Sequence, residues 1–438
     1  MKIYNSKSQE KQEFKPLESG QVNMYVCGPT LYSQIHIGNA RPLIFFDVVA
    51  RYFIHRGYQV NYVSNITDID DKIIDRSLEL GISEEQLVAD NIVMYNQVRR
   101  DMNLLENVQM PLVTELIEEI IEYINNLIEL GAAYEHDGNV YFSVDKVAQY
   151  GEISKRKLED MQAQGRIEVD SHKQYEHDFV LWKKTDKGVK WDAPFGEGRP
   201  GWHTECVVMI NKLLGHTIDI HGGGMDLKFP HHENENAQAH ACGHSLSNIW
   251  MHNGFVNIED TKMSKSLGNV IYPQTIIDEY GTNFLRLLML KSSYRGPINI
   301  SDDVTLDVAK NSEKIKRYIR EYGIADEYHD SVLISNIEAE MDNDFNTANA
   351  ISLYYKYMSG DYSVEEKRNL QTFIVTVFGL VDENDYDEIP TEVLDLIEQR
   401  NEAKKQKDFS LADSLRAKIS DLGYEIEDTR EGVQCHKK

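Results

Sequence analysis

The spacing of apolar and polar positions near the start of the chain predicts a strand, a turn and a helix. Val22-Asn23-Met24-Tyr25-Val26-Cys27 reads as a short strand, Gly28-Pro29 breaks it, and apolar residues at helical intervals follow from about Asn39 to His55. Tyr58 to Ser64 alternates like a second strand, and Asn65-Ile66-Thr67-Asp68-Ile69-Asp70-Asp71-Lys72 follows at its end. A β-α-β order implies a parallel sheet, with its ligand crevice beyond the carboxyl ends of the strands. Cys27, His36 and Thr67 fall at that edge.

Further along, the pattern is helical from about Ser83 to Leu130, with Leu112, Leu116, Ile120, Ile124 and Leu127 as a core stripe. Residues 133 to 185 are more irregular, with strand-like runs such as Asn139 to Ser143, and read as an insertion between two halves of the sheet. Thr217-Ile218-Asp219-Ile220-His221 resumes the sheet and runs into Gly222-Gly223-Gly224. Beyond Asn311 the chain is almost wholly helical, including Asn346 to Met358. Glu383 to Pro390 forms an acidic linker. A last unit starts near Thr391, where Leu411, Leu415 and Ile419 recur every four residues, Asp408 is the cap and Gly423 ends the helix.

At 438 residues the length prior is roughly three domains. The chain is 41% hydrophobic and 27% charged, and no apolar stretch approaches the roughly 18 residues of a membrane span. The first residues show no apolar signal core, so a cytoplasmic protein without a membrane role is expected. Four cysteines, at positions 27, 206, 242 and 435, are too few for a disulfide framework and suit thiolates used as ligands. The net charge of −26 argues against general affinity for nucleic acid. Residues 400–438, however, hold nine Lys/Arg against eight Asp/Glu, so a local basic surface is compatible with an acidic body.

The candidate chemistry begins with Cys27, Cys206, His231 and Glu235. Pro230-His231-His232-Glu233-Asn234-Glu235 opens a predicted helix on which His231 and Glu235 are i and i+4 and face the same way, and both cysteines are expected at turns near the sheet edge. Zinc accepts such a set. Spacing alone nevertheless favours buried cysteines and a helix-opening histidine over a metal site, and His240-Ala241-Cys242-Gly243-His244 is a rival cluster.

Two distant segments change the balance. Pro29 to Asn39, with His36, Ile37 and Gly38, and Lys262-Met263-Ser264-Lys265-Ser266 together resemble the paired nucleotide-activating signatures of class I aminoacyl-tRNA synthetases. Gly201-Trp202-His203-Thr204-Glu205-Cys206 and His221 to Glu235, with Cys27-Gly28-Pro29-Thr30 and Asn65 to Lys72, resemble the cysteinyl-tRNA synthetase family in particular, in the right order over nearly the whole chain.

The resemblance implies an α/β fold. A Rossmann-like doubly wound parallel-sheet catalytic domain, in halves 1–132 and 186–256 around the connective insertion 133–185, leads into a signature-loop and stem-contact region at 257–310. A helical tRNA-binding bundle at 311–388 and a small C-terminal α+β anticodon-recognition unit at 391–438 follow. It also implies one zinc ion on Cys27, Cys206, His231 and Glu235, with the sulfur of the substrate L-cysteine joining it. Thr67 and Trp202 would line the amino-acid pocket and Asp226 would meet the substrate ammonium. ATP, carried with Mg²⁺, would be met by Thr30, His36, Gly38, Asn39, Lys262 and Lys265, Asn39 standing where the family usually has His. The helix start near Asn39 would offer amides to phosphate. The tRNA for cysteine is the implied partner and the chain is expected to act as a monomer. Arg400, Lys404, Lys405, Lys407, Arg416 and Lys418 are candidate phosphate contacts.

Two rivals share these motifs: a ligase transferring activated cysteine to a small amine, against which the terminal unit argues, and a silent relative that only binds, against which the complete signatures argue.

Overall fold

The computed structural model describes residues 1–156, 172–259, 261–262, 270–383, 391–406, 408–429 and 432–437. They form two compact units, Met1–Val381 and Asp382–Lys438.

At the centre of the first unit is a four-stranded sheet in the order Ser247–Asn253, Ile218–Gly224, Gln21–Val26, Gln59–Val63, with every neighbouring pair parallel. Ile218–Gly224 and Ser247–Asn253 bury nearly every position, as expected of a parallel sheet covered on both faces, while Gln59–Val63 at the edge is buried only at its carboxyl end. The strand at 218–224 continues through all three glycines instead of stopping at His221. Its glycines let a helix approach: a Cβ on Gly222 would lie 2.2 Å from the Phe46 ring on the Ile37–His55 helix.

The helical run expected over 83–130 is broken. The helices are Glu84–Asp101 and Ile117–Glu129. Between them Asn103 turns with a φ of 53°, and the chain runs extended beside the sheet edge, with Gln109 N–H on Tyr62 O at 2.9 Å and Ile66 N–H on Pro111 O at 2.9 Å. Apolar residues at 108–112 serve an extended edge here, which periodicity alone does not distinguish from a helix stripe.

The insertion strands Ala133–His136, Asn139–Phe142 and Phe179–Lys184 form an antiparallel sheet that Gly198–Pro200, beyond the expected boundary at 185, completes. Asp302–Tyr322, Val332–Met341, Thr347–Met358 and Val364–Phe378 supply the bundle. The bundle packs on the catalytic helix through a buried ionic knot. Arg286, fully buried, donates to Asp47, to Phe378 O and to Met102 O, while Asp47 also accepts from Arg51 and from Leu105 N–H.

The second unit holds helices Thr391–Lys405 and Phe409–Asp421 and a hairpin of Tyr424–Thr429 with Gly432–Lys437. Asp408 caps the second helix through Leu411 N–H at 3.0 Å, and Gly423 follows its end with a φ of 88°. Val393, Ile419, Tyr424 and Ile426 form its core. Arg400 is buried, which removes it from the phosphate-contact candidates, and Arg416 reaches back to Ile426 O. Lys407 lies outside the described residues.

Candidate metal centre and nucleotide cleft

The first sheet strand ends at Val26, so Cys27 emerges at the carboxyl edge, its N–H on Gly222 O at 3.1 Å. The chain must then turn hard against Asn65: a Cβ on Gly28 would stand 1.6 Å from Asn65 O, which only glycine avoids. Cys206 is not on a turn but in the first turn of the Glu205–Leu213 helix, which aims its sulfur at the same point. His231 lies in a wide turn, Lys228–His232, and Glu235 in the Glu233–Ala241 helix that continues it. The i, i+4 pairing therefore holds across a change of helix type, with His231 Nε2 and Glu235 Oε1 2.8 Å apart.

The four donors converge. Cys27 Sγ is 3.8 Å from Cys206 Sγ and 3.7 Å from Glu235 Oε1, and Cys206 Sγ is 3.7 Å from His231 Nε2. Two thiolates each about 2.3 Å from a tetrahedral ion stand about 3.8 Å apart, and thiolate-to-imidazole or thiolate-to-carboxylate separations come to about 3.6 Å. Three of the spacings thus fit zinc as they stand. The His231–Glu235 pair sits at hydrogen-bond distance and would open by about half an ångström to admit the ion.

A second set, Cys27, His221, His232 and Glu235, also lies within 4.8 Å. It offers a single sulfur, which His232 Nε2 approaches to 3.3 Å; His221 Nε2 is held by Glu235 Oε2 at 2.7 Å, and His232 Nδ1 meets His252 Nε2 at 2.9 Å, which in turn reaches Ser6. Of these contacts, that of His221 with Glu235 would orient a candidate ligand, as outer-shell partners do. The rival cluster at His240–His244 does not converge: Cys242 Sγ meets Tyr123 and Asn126, and His240 meets Glu152.

Charge at the site is set by proximity. A hydrogen bond from Cys27 lowers the Cys206 thiol to about 7, with burial opposing and His231 assisting. Burial and the neighbouring sulfur push Cys27 well up, so Cys206 is the readier of the two to ionise. Burial opposes charge on His231, but Glu235 and Cys206 outweigh it and raise it to about 10. His203, pushed down to about 3 by burial and by His231, stays neutral and holds His231 Nδ1 at 3.1 Å, leaving Nε2 for the sulfur.

Beside this centre opens a cleft of about 330 Å³ lined by Cys27, Thr30, His36, Gly38, Asn39, Trp202 and Asp226. Trp202, 39% exposed, stacks on His231 with centroids 4.2 Å apart. Thr67 sits behind the cleft, buried, its hydroxyl donating to Glu205 Oε2 at 3.1 Å and its backbone paired with Pro29 and Leu31. Asn39 Oδ1 accepts the His36 N–H at 3.0 Å, so the residue that departs from the usual histidine caps the helix. The helix amides are less available than the sequence suggested. Ile37 N–H is held by Ile271 O at 2.9 Å, and those of Asn39 and Ala40 return to His36 O.

The Ile37–Ile271 bond also brings the end of the second signature region to the start of the first. Lys262 lies on the strand Thr261–Lys262, paired with Asn257–Ile258, and Lys265 lies outside the described residues. Lys72, quoted in the sequence motif without a role, lines the cleft with its ammonium 5.6 Å from the Tyr32 ring. His203, His221, His232 and His252 were likewise unassigned. For His203, His221 and His232 the signal available was their crowding into the same short runs as the candidate ligands; His252 lies on the separate strand Ser247–Asn253.

The fold and this site together define a class I aminoacyl-tRNA synthetase. The family model described as "tRNA synthetases class I (C) catalytic domain" matches residues 13–311. Two solved synthetases share the fold: methionyl-tRNA synthetase of Mycobacterium tuberculosis in complex with methionyl-adenylate, at 13% identity and a TM-score of 0.58 over 82% of this chain and 90% of that one, and the LeuRS of an Agrobacterium radiobacter K84 ternary complex, at 12% identity and 0.58 over 84% of each. Curated relatives named cysteine--tRNA ligase match throughout. That of Finegoldia magna is 42% identical over 99% of both chains, and that of Staphylococcus aureus strain Newman 41% identical over 99% of this chain and 98% of its own. The chain belongs to the cysteine--tRNA ligase family. Among the described residues no helix is long and apolar enough to cross a membrane.

Proposed function

We infer that this chain joins L-cysteine to ATP as cysteinyl-adenylate, releasing pyrophosphate, and passes the cysteine to the 3′ end of its tRNA. Cys27, Cys206, His231 and Glu235 would hold a zinc ion that selects the thiol. The observation that carries this reading is the set of donor spacings, 3.8 and 3.7 Å around a common point at the wall of the nucleotide cleft.

Cysteine and serine differ by one atom, and shape alone separates such isosteres poorly. When bound, zinc supplies a soft Lewis acid that favours a thiolate over a hydroxyl. The chain's own residues do the rest. Trp202 walls the pocket beside His231, Asp226 stands exposed on the cleft for the substrate ammonium, and Glu235 is kept ionised because His231 and His221 outweigh its burial. Activation places negative charge on phosphate oxygens, which needs donors and cations close by. His36 at the helix start, with Lys262 and Lys265 of the second signature, would meet it, and lysine's compact ammonium suits a charge that then departs.

The test is ATP–pyrophosphate exchange with each amino acid, before and after zinc removal, followed by tRNA charging. Exchange with cysteine alone is expected, lost on chelation. Cys206→Ser should lose zinc by about two orders of magnitude, taking a structural site's 10–16 kcal/mol as shared among four donors. Robust exchange with serine refutes metal selection, and exchange without tRNA charging favours a small-amine acceptor.

A further inference from the structure

Two of the four candidate ligands depend on one short element, the turn and helix from Lys228 to Ala241. One flank of that helix is polar yet buried: Glu233, Asn234 and Asn236 are each at most 2% exposed. A single seven-residue stretch of the insertion, Tyr150 to Arg156, covers it. Both Glu233 oxygens accept from its backbone, Ser154 N–H at 2.7 Å and Ile153 N–H at 3.1 and 3.4 Å. Tyr150 OH reaches Asn234 Oδ1 at 2.6 Å, and Glu152 Oε1 takes Asn236 Nδ2 at 2.7 Å and His240 Nε2 at 2.6 Å. Arg156 lies over the Phe229 ring at 4.5 Å, next to the start of the ligand turn.

Glu233 belongs to neither set of converging metal donors. A buried carboxylate carries a desolvation cost of several kcal/mol unless its hydrogen bonds are well made, and apolar side chains would have covered the helix without it. What it supplies is a directed grip on the backbone of a separate segment. We propose that Glu233 is a positioning residue for the metal pair: it fixes the Tyr150–Arg156 strap across the helix bearing His231 and Glu235, and so keeps those ligands at the spacing that admits zinc. The strap is part of the insertion, so the inference makes thiol selection depend on a segment that touches no ligand. It rests on the zinc reading above.

The test is Glu233→Gln in the full-length chain, which keeps size and removes the charge. Zinc affinity is read by competition with a chromogenic chelator, the strap by amide hydrogen exchange, and the reaction by cysteine KM against kcat. Zinc affinity should fall about ten- to a hundredfold, the range for outer-shell partners. The Ile153 and Ser154 amides should exchange faster, and cysteine KM should rise more than kcat falls. Tyr150→Phe, which deletes one hydroxyl and serves if the first variant does not fold, should move all three in the same direction by less. The double variant should lose less than the sum, because both changes release one strap. Wild-type zinc affinity in Glu233→Gln despite a loosened strap overturns the proposal, as does lost affinity with the strap's exchange unchanged. A wild-type chain that holds no zinc removes the metal reading and this inference with it, a result distinct from either.

Discussion

Replacing Gly222 with alanine tests whether the metal site depends on a close approach of sheet and helix. The added methyl would stand 2.2 Å from one carbon of the Phe46 ring and 2.5 and 2.8 Å from two others. Carbon atoms in contact sit about 3.5–4.0 Å apart, so ring and strand must separate by more than about 1 Å. Neither yields easily: Phe46 is fully buried, and Gly222 lies in a strand paired on both sides, with Val26 and with Met251. Overpacking costs about 1–3 kcal/mol, and two rigid partners put this case near 3. At about 2 °C per kcal/mol for a chain of this size, the melting temperature should drop about 6 °C. Because Gly222 O holds the Cys27 N–H, zinc retention against a chelator should fall as well. Phe46→Leu alone should cost about 1–2 kcal/mol through a small cavity. Combined with Gly222→Ala it should recover at least about 1 kcal/mol relative to the sum. A Gly222→Ala chain that melts with the wild type, or a strictly additive double variant, would refute the reasoning.

Asp47→Asn leaves the Arg286 guanidinium buried without its counter-charge and should cost about 3–5 kcal/mol in urea unfolding; adding Arg286→Met should restore part of that loss, and a further loss would contradict the ionic-knot account. Burial pushes the Glu152 carboxyl up, but hydrogen bonds from His240, Lys7 and Asn236 outweigh it and hold it at about 2. A depressed carboxylate stabilises above its ordinary value and loses that contribution as pH falls through the folded one. Strap protection should therefore weaken between about pH 4.5 and pH 2, by about 1 kcal/mol after solvent screening, and Glu152→Gln should flatten that dependence in amide exchange. Trp202→Ala should raise cysteine KM about two- to tenfold, the worth of one aromatic stack, with little change in melting temperature; an unchanged KM would place the amino acid elsewhere.

The strand at 21–26, the helix after it and the parallel order of the sheet were legible because Met24 to Val26 is a short buried apolar run, the dipeptide Gly28-Pro29 marks its end, and a helix then a second strand follow. The same reasoning failed at 103–112. There an apolar stretch next to a helix serves an edge strand, and only its hydrogen bonds to Tyr62 and Ile66 reveal that. Cys206 is expected on a turn near the sheet edge, whereas Glu205 starts a helix there with Thr204 at its cap. His231 and His232 are adjacent and both buried, so spacing could not tell which faces the sulfurs. Both do in the structure, His231 Nε2 at 3.7 Å from Cys206 and His232 Nε2 at 3.3 Å from Cys27, and only the set with His231 brings both sulfurs together. Arg286 was visible as a lone cation in the apolar run Phe284 to Leu290, but its partner lies more than two hundred residues away and no local pattern points to it.

The four donors come from stretches of chain that meet only after the sheet has closed around strands first made and strands made some two hundred residues later. A growing polypeptide therefore has nothing to offer the ion until Glu235 has been synthesised and its helix has docked. On the zinc reading, capture of the metal would come after long-range pairing and would report that pairing is complete. In a cell short of zinc, newly made chains would reach native topology and wait there without the stabilisation that ligand occupancy adds, a population distinguishable from older, loaded molecules by its lower melting temperature.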